Sequence, residues 1–234
     1  MTVSNVNELE QKWGETLRRY AGLLASYDAA RLTGSRDAGE LYDLHVKDSL
    51  HSVALLPKAG KGTDRVIDVG SGGGLPGMVW AICRPDLDVT LLDSARKKCR
   101  AMSEIAAALS LNNVSVVWAR CEEHALRERE GYVFAAARAL AHTGVVAEYL
   151  SPLVARGGRA VAFKGPKGVN ELREIGDKWS VIGFAGPVVL PYGDNVHGGN
   201  ERNYFFVIWE KISPAPLSYP RKPGIAPAKS WWVK

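Results

Sequence analysis

The chain has 234 residues, 46% of them hydrophobic and 24% charged, the make-up of one globular domain with room for an appendage. No apolar run reaches the roughly 18 residues a membrane-spanning helix needs, and the N-terminus lacks the basic and apolar regions of a secretory leader. The formal charge is +5, a modest basic excess whose meaning depends on where it sits.

Residues 5–30 read as a helix. Leu9, Trp13, Leu17, Tyr20 and Leu24 recur at spacings of three and four, which makes an apolar stripe. Thr33-Gly34-Ser35 breaks it. A second helical pattern runs over about 38–56 and ends at Pro57. From Arg65-Val66-Ile67-Asp68-Val69 onward, β-branched runs alternate with helical patterns. Strands are expected at 88–92, 114–118, 132–137 and 158–163. Helices are expected near 76–83, 95–109, 142–155 and 168–178. This alternation predicts βαβ units and a mostly parallel sheet. Two further apolar runs, 180–190 and 203–210, have no long helix between them and predict a hairpin-like end with an antiparallel last strand. The expected organisation is a helical cap over 1–60, a doubly wound Rossmann-like core over 61–210, and a tail over 211–234.

The densest motif is Asp68-Val69-Gly70-Ser71-Gly72-Gly73-Gly74-Leu75-Pro76-Gly77, placed where a strand hands over to a helix. Glycines there permit positive φ and close approach of a ligand to the backbone. Gly72-x-Gly74-x-x-Gly77 also fits the dinucleotide pattern, with Asp93 about 20 residues on as a ribose-binding acid. Two features favour S-adenosylmethionine over a nicotinamide cofactor. Asp68, two residues before the first loop glycine, would repel a pyrophosphate but suit a cationic methionine portion. Little chain remains for the separate substrate domain of a dehydrogenase.

These residues resemble a known family. Asp68–Gly77, then Arg84-Pro85-Asp86-Leu87 and Leu91-Leu92-Asp93-Ser94, are similar to the glucose-inhibited division protein B family of small-subunit ribosomal RNA guanine-N7 methyltransferases. His45-x-x-Asp48-Ser49, Arg120-x-Glu122-Glu123, Arg138-Ala139, Lys164-Gly165 and Glu201-Arg202 extend the likeness over roughly 30–210. The resemblance implies a class I S-adenosylmethionine-dependent methyltransferase fold. It implies methylation of a guanine, the position-527 guanine of 16S ribosomal RNA, on naked RNA or an assembled small subunit. It also implies cofactor contacts at Gly70, Leu75, Asp93, Cys121, Glu122 and Arg138. Lys164 and Arg202 are candidates for RNA phosphate or guanine contacts.

Guanine N7 carries a lone pair and no proton, so transfer from a sulfonium needs alignment and no general base. No catalytic acid–base residue is therefore expected. His45-x-x-Asp48-Ser49 reads more readily as a brace between cap and cofactor loop. The five histidines have no metal spacing. Cys83, Cys99 and Cys121, odd in number and without CxxC, suit a reducing cytoplasm. Arg96-Lys97-Lys98-x-Arg100 opens a helix against its dipole, which local stability does not explain and an RNA phosphate would. A solvated charged face is the alternative. A monomer is expected.

From Lys211 onward the chain has five prolines, five basic residues and no acid, so the whole +5 excess falls there. That composition predicts an extended segment with no helix. Tyr219, Trp231 and Trp232 interleave with the cations. They stack on unpaired bases, pack back on the domain, or do both. Removing the tail is expected to lower RNA affinity and flatten its salt dependence while sparing cofactor binding.

Overall fold

The computed structural model describes residues 3–30, 32–58, 64–192 and 203–233. The chain forms two compact units, 1–119 and 120–234.

The first unit opens with α1 (Val3–Ser26). Its stripe buries Leu17, Tyr20, Ala21 and Leu24. The second expected helix is broken into pieces: α2 (Ala38–Leu41), a π turn (Tyr42–Val46), α3 (Lys47–Leu50) and a 3-10 turn (Val53–Leu55). Asp37 caps the first piece, its Oδ1 accepting from Glu40 N at 2.7 Å. Ser49 Oγ donates back to His45 O at 2.7 Å, a bond that competes with the regular helix ladder.

Three parallel strands follow in the order β3-β2-β1: β1 (Asp64–Val69), β2 (Leu87–Asp93) and β3 (Val114–Trp118). Val66, Ile67, Asp68 and Val69 are all buried, as expected of a strand covered on both faces. Each such apolar side chain contributes about 1.5–3 kcal/mol by leaving water. The connecting helices are α4 (Gly77–Cys83) and α5 (Arg96–Ala108). Gly77 must be glycine, since a Cβ there would meet Leu91 and sit 2.9 Å from Asp68 Cβ.

The second unit holds α6 (Cys121–Arg127), β4 (Tyr132–Arg138), α7 (Thr143–Leu150), β5 (Val154–Lys164) and α8 (Gly168–Ile175). A 3-10 turn (Lys178–Ile182), β6 (Val188–Pro191), β7 (Phe205–Glu210) and α9 (Ile225–Ala228) complete it. Its strands run in the order β4-β5-β7-β6. β4 and β5 are parallel, and β7 is antiparallel to both β5 and β6. The parallel strands and the antiparallel last strand are the arrangement the sequence predicts.

Three expectations need correction. The run 180–190 is not one strand, because Gly183 turns the chain with φ 84°; Val188–Pro191 pairs with β7, and Phe184 makes only an isolated bridge to Lys211. The Arg120-x-Glu122-Glu123 turn opens a helix, α6. The tail contains one helical turn, α9, which tolerates Pro227 because so short a helix has few internal bonds to lose. Among the described residues, no helix is long and apolar enough to cross a membrane.

Candidate cofactor-binding site

In the first unit the site is the turn between β1 and α4. Gly70, Gly72 and Gly74 have φ of 74°, 60° and 99°, which L side chains rarely adopt. The turn is anchored from below. Gly70 N and Ser71 N donate to Leu92 O at 2.8 and 3.1 Å, and Ser71 Oγ donates to Asp68 O at 2.8 Å. Asp68 is fully buried, and its Oδ2 accepts from Gly77 N at 3.0 Å. A carboxylate therefore already occupies the start of α4, where a dinucleotide pyrophosphate would bind.

Asp93 closes the turn from β2. Its Oδ2 accepts from Gly72 N at 2.9 Å and its Oδ1 from Ala95 N at 2.8 Å. Each oxygen keeps a further lone pair for a hydroxyl donor. At Gly72 the nearest atom to an added Cβ is Gly70 O at 3.9 Å, an ordinary contact with the turn's own backbone, so no side chain crowds this point of the turn. Leu75 is half-buried beside it.

Other side chains of the unit also tie the cap to the turn and to α4. Tyr20 of α1 donates its hydroxyl to Gly73 O at 2.9 Å inside the unit. Trp80 Nε1 donates to Ser52 Oγ at 2.8 Å, and Ser52 Oγ donates to Ser49 O at 2.6 Å. The sequence marks Tyr20 only as a member of the apolar stripe and does not mark Ser52. One hydroxyl within an apolar stripe, and one serine after a helix, carry no signal of a long-range partner.

In the second unit, Cys121 and Glu122 open α6. Cys121 Sγ lies 3.5 Å from Tyr149 O, and burial pushes its thiol well above the ordinary range. A thiol held protonated is a poor nucleophile. Glu122 is buried, and Gly224 N donates to its Oε1 at 3.4 Å. Burial raises the Tyr149 hydroxyl to about 12.

Arg138 ends β4 with its guanidinium 6.0 Å from the Phe163 ring. Lys164 ends β5 and is tied down: its Nζ donates to Ala141 O at 2.7 Å and to Glu171 Oε2 at 2.8 Å. The Lys164 ammonium and two bonds from Thr143 hold the Glu171 carboxyl below its usual range, against the opposing effect of burial. Glu201 and Arg202 lie outside the described residues. A cleft of about 490 Å3 runs between α8 and the β6–β7 pair, lined by Val169, Leu172, Val189, Tyr192 and Tyr204 among others. None of the residues singled out from sequence lines it.

The basic start of α5 is exposed at Arg96 and Lys97. The Arg96 guanidinium stands 5.1 Å over the ring of Trp118, which is 58% exposed and anchored by Nε1 to Ser94 O at 3.1 Å.

A parallel sheet with an antiparallel final strand, a glycine turn after β1 and an acid at the end of β2 define a class I S-adenosylmethionine-dependent methyltransferase fold. Solved structures agree. The chain is similar to a predicted O-methyltransferase from Agrobacterium tumefaciens, with TM-score 0.56, 19% identity, and coverage of 71% of this chain and 81% of that one. It is also similar to a SAM-dependent O-methyltransferase from Thermotoga maritima, with TM-score 0.53, 15% identity, and coverage of 74% and 70%. The family model described as rRNA small subunit methyltransferase G, GidB, matches residues 14–191. Proteins named ribosomal RNA small subunit methyltransferase G are 36% identical in Moorella thermoacetica (91% of this chain, 88% of that protein) and 40% identical in Rubrobacter xylanophilus (91% and 81%). The chain belongs to the rRNA small subunit methyltransferase G family.

Proposed function

We propose that this protein transfers the methyl group of S-adenosylmethionine to N7 of a guanine in 16S ribosomal RNA, the position-527 guanine by family resemblance. The observation that carries the cofactor reading is the Asp93–Gly72 closure. It leaves glycine backbone uncrowded by side chains at Gly72, beside a carboxylate with lone pairs to spare. That donor and acceptor set fits a ribose diol and the methionine portion of a nucleoside sulfonium. The nicotinamide alternative is disfavoured by Asp68, whose charge at the start of α4 repels a pyrophosphate.

In this reading Gly70 and Leu75 pass close to the methionine portion and Asp93 accepts from the ribose. The backbone at Cys121 and Glu122 meets the adenine. Arg138 pairs with the methionine carboxylate or a substrate phosphate. The bound sulfonium supplies the methyl group. The protein's own part is to hold the N7 lone pair about 3–3.5 Å from that carbon and in line with sulfur. No side chain takes a proton.

Lys164 has three ammonium protons and spends two on Ala141 and Glu171, so one remains for an RNA phosphate. Arg202 and the Arg96–Lys97 edge are further candidates. Residues 1–60 serve as cap and 61–210 as catalytic core. The protein acts as a cytoplasmic monomer on rRNA or the small subunit. Mapping N7-methylguanine in 16S RNA from cells lacking the protein tests this reading. Loss of one modification is the expected result, and an unchanged map would overturn it.

A further inference from the structure

The tail is built into the second unit at both ends of α6. Beyond α6, Arg129 donates to the carbonyls of Tyr219, Ala215 and Pro216. At the start of α6, Gly224 N donates to Glu122 Oε1. Between these points Arg221 forms a forked pair with Glu148 of α7, with Nε to Oε1 at 2.8 Å and Nη2 to Oε2. Glu148 is 1% exposed, so removing its partner would leave a buried charge uncompensated. Tyr149, the next residue, accepts from Cys121 Sγ through its backbone carbonyl at 3.5 Å.

The end of the tail is equally committed. Trp232 is buried and stacks on His142 with ring centroids 4.8 Å apart, and Trp231 Nε1 donates to Gly144 O at 2.8 Å. Lys211 is buried and donates to Ser151 O and Oγ at 2.6 and 2.8 Å. Among the described tail cations, Lys222 and Lys229 are the exposed ones.

We propose that the segment 211–233 is a strap that sets cofactor affinity, with Arg221 and Gly224 as positioning residues acting through Glu148, Tyr149 and Glu122 on the first turn of α6. This rests on the reading that Cys121 and Glu122 meet the adenine. Backbone amides recognise a base edge only when their direction is fixed. Arg120, at the start of α6, supplies no side-chain cap to fix the direction of the backbone there. The strap supplies that fixation from outside the helix, so losing it costs ordering free energy each time cofactor binds.

The test uses the full chain. Arg221→Ala should raise KM for S-adenosylmethionine about tenfold while kcat at saturating cofactor stays within about twofold. Arg221→Lys should recover part of the loss, and Lys222→Ala should change neither parameter. An Arg221→Ala protein that folds and keeps the wild-type KM would overturn the proposal.

A second measurement needs no variant. Cofactor binding should slow amide exchange at Arg221, Lys222, Gly224 and Ile225 together with the start of α6; protection of α6 alone would overturn the strap. Failure of the underlying reading looks different: the wild-type chain would not bind the cofactor, or would bind it without protecting α6.

Discussion

The Asp93 carboxylate accepts the Gly72 amide at 2.9 Å, across 21 residues of sequence. The same side chain therefore shapes the glycine turn from the end of β2. Replacing it by alanine removes a charged acceptor from two backbone donors and, in the proposed role, from the cofactor ribose. Asp93→Ala should weaken S-adenosylmethionine binding by about 1–3 kcal/mol, read by titration calorimetry. Asp93→Asn keeps one acceptor oxygen and should fall between. Equal affinity in all three proteins would refute the role given to Asp93.

The turn is also supported from behind. Tyr20→Phe removes the buried donor to Gly73 O and should cost about 1–3 kcal/mol of stability, measured by urea unfolding. Gly77→Ala should cost more than Tyr20→Phe, because the new methyl would press on Leu91 and Asp68 between packed elements. If Gly77→Ala unfolds at the wild-type urea concentration, the packing described around α4 is incorrect.

Lys211 gives a pH signature. Burial lowers its ammonium to about 8, with Arg129 adding to the shift and Glu130 opposing it. Between about 8 and the ordinary value near 10.4, the unfolded chain holds a proton the folded chain has released. Stability from this residue therefore rises with pH across that window, and below it both states are charged and the penalty is constant. Tyr42 and Tyr149, raised to about 12, pull the other way above pH 10. The comparison is thus wild type against Lys211→Met. The difference in unfolding free energy should shift in favour of wild type as pH rises from 8 to 10, and a constant difference would contradict the assignment.

Trp118 and Arg96 make an exposed ring-and-cation pair beside Lys97. Trp118→Ala should weaken rRNA binding by about 1–3 kcal/mol if a base stacks there. Arg96→Ala should lower the salt slope of log K by about 0.9, one phosphate contact. Filter binding across a salt series reads both. Unaltered affinity and slope would leave this edge a solvated charged face.

The parallel core was legible because β-branched runs, glycine punctuation and apolar stripes are local signals. The glycine turn and Asp93 were legible because their chemistry depends on spacing along the chain. Three kinds of feature were not. α6 has no apolar stripe to mark it, and the partners of its first two residues, Tyr149 and Gly224, are distant in sequence. The 180–190 run is apolar in a way that suits strand or helix equally, and Gly183 decides it by turning left-handed. The tail's composition predicts extension and basicity, and nothing local says that Trp232 finds His142 or that Arg221 finds Glu148. The +5 charge accordingly does not mark a free cationic arm, since Lys211 and Arg221 are spent inside the fold.

The central claim is methyl transfer to guanine N7 without a protein base. The direct measurement is incubation of the purified protein with methyl-labelled S-adenosylmethionine and 16S RNA or small subunits, followed by mapping of the labelled nucleotide. Labelling of one guanine at N7, with a rate at saturation independent of pH over about 6–8, is the predicted result. No label on either form of RNA, or label on another atom, would contradict it.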